Sequence, residues 1–128
     1  MMTASELAAS AYELWGKRDV DGAARLFSDG AVFVIPGETR VSGVHQGEAI
    51  KEVFAVLAAA AAGGLNRQEL VCKYESEGGV MFVFDNFVKV DGRDEKYHSA
   101  HEWIMRDDRL VALMIYVHEY DLFARVWA

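Results

Sequence analysis

The chain has few cysteines, prolines and cationic side chains. Its 128 residues include one cysteine, Cys72, and one proline, Pro36. A single cysteine excludes an intrachain disulfide and a cysteine-based metal cluster, and it favours a reducing compartment. Lysine and arginine number 13 against 20 aspartates and glutamates, which gives a net charge of −7. Because nucleic acid and anionic membranes attract basic surfaces, we expect neither as a partner.

Long apolar runs and cofactor motifs are also missing. The longest apolar run, VFAVLAAAAAGGL at 53–65, is too short to cross a bilayer. The first residues lack a basic signal-peptide region, so we expect a cytoplasmic protein. Four scattered histidines and the lack of a phosphate-binding loop predict no metal and no cofactor. With 52% hydrophobic residues, the chain is expected to form one domain over 1–128. Its acidic charge makes a small hydrophobic molecule the more natural partner.

Helices are predicted in the first half of the chain and strands in the second. A capping-box spacing begins a first helix that ends at Gly16, and a second helix runs from Asp19 to Gly30. A third helix spans 48–62, and alternating residues predict successive strands over 68–120. Since the two element types are segregated, the predicted fold class is α+β, with helices on one face of a curved sheet.

An aspartate lies in the middle of the apolar strand VMFVFDNFVKV, residues 80–90. Because both faces of this strand are apolar, Asp85 is expected to be buried and to need a compensating partner. A loop over Asp91–Glu95 would place Asp85 opposite His101 and raise the pKa of His101, whereas a four-residue connection would place Ala100 there. The Asp85–His101 pair is either an acid–base site or a buried pair that only fixes the strand register.

Three stretches resemble one protein family: AYELWGKRDVDGAARLFSDGAVFVIPG, VSGVHQGEAIKEVF and HEWIMRDDRLVALMIYVHEYD. They are similar to the SnoaL-like branch of the nuclear-transport-factor-2-like superfamily, which includes ketosteroid isomerases, limonene epoxide hydrolases, scytalone dehydratases and polyketide cyclases. The resemblance implies a cone-shaped roll in which three N-terminal helices pack on a strongly curved, mixed, mainly antiparallel sheet around an apolar pocket. Because this scaffold hosts many chemistries, it does not assign the reaction.

The catalytic positions of that family are only partly filled here. The proton-shuttling aspartate of the isomerases matches Ile35, and their oxyanion-hole acid matches His101. The first aspartate of the epoxide hydrolases matches Asp85, but their arginine and second aspartate match Val83 and Ile115. The resemblance therefore implies Asp85 and His101 as catalytic residues and argues against hydrolysis by the epoxide hydrolase mechanism.

The remaining pocket residues are expected from the family match and from strand pairing. A turn over Asp107–Arg109 would place Ile115 opposite His101. The isomerase tyrosine falls on Ala11, one residue from Tyr12, and its role is not carried over. The residues expected to bind the ligand are Tyr12, Trp15, Phe33, Ile35, Phe54, Leu57, Val83, Phe87, Trp103, Leu113, Ile115 and Val117.

Three functions remain open. One is a cofactor-independent isomerase, dehydratase or polyketide cyclase-type enzyme that uses Asp85 and His101 as an acid–base pair on a hydrophobic substrate. Another is a non-catalytic protein that binds a small hydrophobic ligand in the same pocket. The third is a structural subunit, for which the outer sheet face matters most. Large side chains on that face predict a homodimer. They are Met114, Tyr116, His118 and Tyr120.

Overall fold

The computed structural model describes residues 2–64 and 66–128. Its helices are α1 (Ala4–Gly16), α2 (Val20–Ala24), α3 (Glu48–Ala62) and α4 (Tyr120–Val126). Its strands are β1 (Phe27–Ile35), β2 (Gly43–Gln46), β3 (Asn66–Ser76), β4 (Gly79–Val90), β5 (Arg93–Arg106) and β6 (Arg109–Val117). They form one curled, open sheet in the order β2-β1-β6-β5-β4-β3.

The sheet is mixed because β1 pairs with β6 in parallel, whereas all other neighbouring strands are antiparallel. Helices α1, α3 and α4 contact the strands on the inner face, which holds the buried aromatic side chains. The predicted α+β architecture, with three N-terminal helices on a mixed and mainly antiparallel sheet, is confirmed. No helix in the described part of the chain is long and apolar enough to cross a membrane.

The start of helix α1 is determined by its local sequence. The Thr3 hydroxyl accepts a hydrogen bond from the Glu6 amide, and the Glu6 carboxylate accepts one from the Thr3 amide, each at 3.1 Å. This capping box satisfies amides at the helix start. The buried face consists mainly of alanine, with Leu7 beside Ala4, Ala8 and Ala11, so the helix can lie close to the sheet.

The predicted second helix is too long. Helix α2 ends at Ala24, and β1 begins at Phe27. Gly30, which was expected to end the helix, has a φ of 79° inside β1. It lies where the pairing of β1 with β6 shifts between Phe27 and Val32, which is typical of a β-bulge. Tertiary pairing with a distant strand therefore overrides the local helical pattern.

The hairpin between β4 and β5 has a much shorter turn than expected. Val90 pairs directly with Arg93, and the turn consists of Asp91 and Gly92, with φ of 53° and 76°. Two positive φ angles are the signature of a type I′ turn, for which Asp-Gly is a preferred pair. The expected loop over Asp91–Glu95 is therefore wrong, and every cross-strand partner on β5 shifts by three residues.

The hairpin between β5 and β6 has the predicted pairing at His101, although its turn differs from the predicted one. Its turn is one residue shorter than expected, since Arg106 pairs with Arg109. A register shift between Ile104 and Met105 compensates for that residue. As a result Ile115 pairs with His101, as predicted. Both residues face the inside of the sheet.

Candidate functional site

A cavity of about 170 Å³ lies between the inner sheet face and the helices. Its lining is mostly apolar, with polar atoms from Gln68, Tyr97, Ser99 and His101. Among the lining residues within the described chain, none is an aspartate, glutamate, lysine or arginine. The full lining consists of Trp15, Phe33, Ile35, Val41, Leu57, Ala61, Gln68, Tyr97, Ser99, His101, Leu113, Ile115, Val117, Phe123 and Trp127.

Most of the side chains expected at the pocket meet at this cavity. They come from α1, β1, α3, β5 and β6, so the cavity is built by elements distant in the sequence. The expected residues that line it are His101, Trp15, Phe33, Ile35, Leu57, Leu113, Ile115 and Val117.

Five of the twelve residues expected to bind the ligand do not line the cavity, although two of these five are hydrogen-bonded next to it. Tyr12 and Trp103 are hydrogen-bonded behind His101 and do not line the cavity. Phe54 is a core residue whose ring is tilted by 51° against that of Phe33, with ring centroids 5.2 Å apart. Val83 and Phe87 are on the outer face of β4, because the inner face takes the even-numbered residues of this strand.

Asp85 is also on the outer face, and the predicted Asp85–His101 pair does not exist. Asp85 pairs with His98, whereas His101 pairs with Phe82. The Asp85 carboxylate lies 3.3 Å from Nε2 of His98 and 4.0 Å from the Lys96 ammonium group. The short type I′ turn causes this change, because a shift by an odd number of residues moves each partner to the opposite face.

His101 instead belongs to a relay of three aromatic side chains. Nε1 of Trp103 donates to the Tyr12 hydroxyl oxygen at 2.9 Å, and that hydroxyl lies 2.7 Å from Nδ1 of His101. Because an indole N–H only donates, all three groups are satisfied when Tyr12 donates its proton to Nδ1. The neutral imidazole then carries its proton on Nε2, which bonds to none of the described residues and is available to the cavity.

The surroundings keep this imidazole neutral. His101 is only 5% exposed, and burial lowers its pKa from 6.5 to about 3. The raised pKa expected from the sequence is wrong, because that expectation required a carboxylate beside the ring. Burial also raises the pKa of the Tyr12 phenol, an effect that the hydrogen bond from Trp103 partly opposes. His101 is therefore a hydrogen-bond donor at neutral pH.

The sequence analysis did not predict Asn86, a polar residue that contacts the cavity-lining residues Gln68, Tyr97 and Ser99 but does not line the cavity itself. Asn86 is fully buried, and its Nδ2 donates to the Tyr97 carbonyl oxygen at 3.2 Å and to the Ser99 hydroxyl oxygen at 2.9 Å. Its Oδ1 accepts from Nε2 of Gln68 at 2.9 Å. The signal was present in the sequence, since Asn86 shares its strand face with Phe82 and Phe84.

Comparisons with known proteins identify the fold. No family model and no curated protein matches the sequence. Bal32a from a soil-derived mobile gene cassette matches at a TM-score of 0.81 and 20% identity, over 98% of this chain and 96% of that one. An NTF2-like protein of unknown function from Burkholderia pseudomallei matches at 0.77 and 16% identity, over 100% of both chains. The chain has the NTF2-like fold.

TerC, co-crystallised with polyporic acid, is a further structure with this similarity. It matches at a TM-score of 0.75 and 18% identity, over 98% of both chains. Identities this low show the fold alone. The fold expected from the resemblance is thus confirmed, and membership of the SnoaL-like branch remains a prediction from the quoted sequence stretches.

An open groove adjoins the cavity of this NTF2-like fold. Trp15, Ala61 and Gln68 line both spaces, and Lys17 and Arg18 are on the groove side. The Trp15 indole N–H is buried and has no hydrogen-bond partner among the described residues. Its ring stacks instead on Phe54 and Tyr12, with centroids 6.1 and 6.3 Å away.

His98, the histidine that contacts Asp85, lies outside the cavity. Nδ1 of His98 is 2.6 Å from Oε1 of Glu119, so this ring lies between two carboxylates on the outer side of the sheet. The His98 side chain is 48% exposed. In the described chain, no three histidine, cysteine, aspartate or glutamate side chains are placed to hold a metal ion.

Proposed function

We propose that this protein binds a small, neutral, hydrophobic molecule in the cavity, and that Nε2 of His101 donates a hydrogen bond to the ligand. The observation behind this proposal is the relay from Trp103 through Tyr12, which leaves one imidazole N–H available to the cavity. Apolar walls with few converging polar groups are the usual form of a small-molecule site. The crystals of TerC with polyporic acid support a ligand-binding role for a fold of this kind.

The chemistry of the cavity favours a neutral ligand. An ionised group needs an opposite charge or several hydrogen bonds when it leaves water. The described lining has no charged side chain, and His101 stays neutral because its pKa is lowered to about 3. A carbonyl oxygen matches the site, because it accepts a hydrogen bond from the imidazole without bringing a charge into the cavity.

Two ligands of matched shape test the role of His101. Acetophenone and cumene differ mainly in that a carbonyl oxygen replaces a methyl group, and NMR titration of backbone amides measures the binding of each. His101→Phe is expected to weaken acetophenone binding about three- to tenfold, which is the effect of one lost neutral hydrogen bond. Cumene binding should change less than about twofold. Equal losses for both ligands would contradict a hydrogen-bonding role.

Two valine substitutions test whether the cavity is the binding site. Val117 lines the cavity, whereas Val83 lies on the outer face of β4. Val117→Phe is expected to fill the cavity and to reduce cumene binding by at least about tenfold, because added volume there excludes the ligand. Val83→Phe is the matched control and should leave binding unchanged. Binding that survives Val117→Phe would place the ligand elsewhere.

A second candidate is a cofactor-independent enzyme of the isomerase, dehydratase or polyketide cyclase type. The preset orientation of His101 favours it, because a fixed N–H in a water-poor cavity is suited to stabilising negative charge on a carbonyl oxygen. The predicted acid–base partner Asp85 lies on the other sheet face and is not part of this mechanism. Without a carboxylate base among the described lining residues, binding without turnover is the better supported function.

Proton exchange separates the two candidates. An enzyme that polarises a bound ketone is expected to accelerate the exchange of the acetophenone methyl protons in deuterated water, and His101→Phe should remove this acceleration. A binding protein should leave the exchange rate equal to that in buffer. Proton NMR measures both rates, and the matched Val83→Phe variant controls for effects of the substitution itself.

A further inference from the structure

Ser99 presents a second hydrogen-bond donor to the same cavity. Its side chain is 6% exposed and lines the cavity on the same face of β5 as His101. The hydroxyl oxygen accepts a hydrogen bond from Nδ2 of Asn86 at 2.9 Å. Among the described residues it donates to none, so the hydroxyl proton is available to a ligand.

The direction of the hydrogen bond between Asn86 and Ser99 follows from a second bond that the same Asn86 nitrogen makes to a backbone carbonyl oxygen. The side-chain nitrogen of Asn86 also lies 3.2 Å from the Tyr97 carbonyl oxygen, which only accepts. The amide group beside Tyr97 and Ser99 must therefore be the NH2 end. Ser99 accepts from Asn86 with one lone pair, so its hydroxyl proton remains for a donated hydrogen bond towards the cavity.

The two donors are separated along one strand. Ser99 and His101 are two positions apart, so their Cα atoms are about 6.6 Å apart along the strand. Acceptors at opposite carbons of a six-membered ring span a gap of that order. A linear or ring-shaped ligand with a single acceptor would leave one of the two donors without a partner.

The size of the cavity limits the ligand to about one ring. An engineered cavity of about 150 Å³ in another protein holds benzene. The cavity here measures about 170 Å³, which leaves room for one ring with small substituents. Fused polycyclic molecules exceed this volume and would extend out of the cavity.

On the basis of the proposed function, we infer that the ligand is a neutral single-ring molecule with hydrogen-bond acceptors on opposite sides of the ring, held by Nε2 of His101 and the Ser99 hydroxyl. Ser99 thereby selects ligands with a second acceptor. The apolar walls contact the ring itself, and most of the affinity comes from that contact.

Three probes with equal numbers of heavy atoms test this inference. They are cyclohexane-1,4-dione, 4-methylcyclohexanone and 1,4-dimethylcyclohexane, with two, one and no acceptors. Each is titrated by NMR into the wild type, Ser99→Ala and the control Ser28→Ala, whose serine lies on β1 away from the cavity. The dissociation constants of one probe are compared between variants, so differences in hydration among the three probes cancel.

Ser99→Ala is expected to weaken binding of the dione about three- to tenfold, to weaken the monoketone less, and to change binding of the hydrocarbon less than about twofold. Ser28→Ala should change none of the three. If Ser99→Ala leaves dione binding unchanged, or weakens all three probes equally, the two-acceptor inference is wrong while the proposed function stands. If the wild type binds none of the probes, the proposed function itself fails.

Discussion

The hydroxyl of Tyr12 lies 2.7 Å from Nδ1 of His101, although the two residues are 89 positions apart in the chain. Tyr12 belongs to α1 and His101 to β5, so a helix and the sheet share the polar centre of the cavity. A neutral imidazole has two tautomers, so His101 by itself does not determine which ring nitrogen donates a hydrogen bond. The contact selects the tautomer with its proton on Nε2.

Tyr12→Phe is expected to lower the free energy of unfolding by about 1 to 3 kcal/mol, because it leaves the Trp103 N–H and Nδ1 of His101 without their common partner. The tautomers of His101 should also become mixed, and 15N NMR of the imidazole detects this change directly. Tyr116→Phe serves as the control, since Tyr116 is 48% exposed and its hydroxyl contacts only Glu102 among the described residues. An unchanged tautomer in Tyr12→Phe would contradict the relay.

His101 is expected to make the fold less stable in acid. Its folded pKa of about 3 lies below the unfolded value of 6.5, so below pH 6.5 the unfolded chain binds a proton that the folded protein excludes. The contribution of neutral His101 is complete above the unfolded pKa and is lost as the pH falls towards the folded one.

At about pH 4.5 the loss should amount to about 2 to 3 kcal/mol relative to pH 7. Urea unfolding at both values measures it, with His101→Phe expected to lack this part of the pH dependence. His118→Phe replaces an exposed histidine and should keep it. Greater stability of the wild type in acid would indicate the carboxylate pair that the sequence suggested.

Asp85→Ala is expected to cost less than about 1 kcal/mol, because its ion pairs with His98 and Lys96 are on the partly exposed outer face. Ligand binding in the cavity should not change. Urea unfolding and acetophenone titration check both points. A loss of about 3 kcal/mol or more would fit a buried carboxylate and contradict the register described here.

The outer sheet face is expected to form a homodimer. Tyr74, Ile104 and Tyr116 are 64%, 36% and 48% exposed, and strand pairing places them in adjacent rows with Met81 and Met114. Glu102 lies between Met81 and Met114 and accepts a hydrogen bond from the Tyr116 hydroxyl, so the patch is apolar with one satisfied charge, as is common in protein interfaces. Tyr120, expected in this stripe, instead begins α4, and its hydroxyl accepts a hydrogen bond from the Glu38 amide at 3.0 Å.

Ile104→Lys should convert the dimer to a monomer at micromolar concentration, because a buried unpaired charge is costly. Light scattering measures the mass. Val56→Lys, on α3, is the matched control and should remain dimeric. A wild-type protein that is monomeric at the same concentration would disprove the homodimer.

Local patterns were sufficient to predict much of the architecture. The capping box of Thr3 and Glu6, and the Gly63-Gly64 pair after residue 62, correctly bounded α1 and α3. Strand parity also placed Ile115 and Leu113 on one face with His101. These features depend on neighbours in sequence, so periodicity and capping are sufficient to detect them.

The sequence by itself determined the class of fold, because helices and strands follow from local periodicity, whereas the apolar cavity and about half of its lining were implied by the resemblance together with strand pairing. It also contained the Asp91-Gly92 turn signal, which was read as part of a longer loop. Only the tertiary structure decided the face on which Asp85 lies, since the loop length sets the register and an odd shift exchanges the two faces. The tautomer of His101 was likewise decided by Tyr12 and Trp103, because those contacts join residues 89 and 91 positions apart on separate elements.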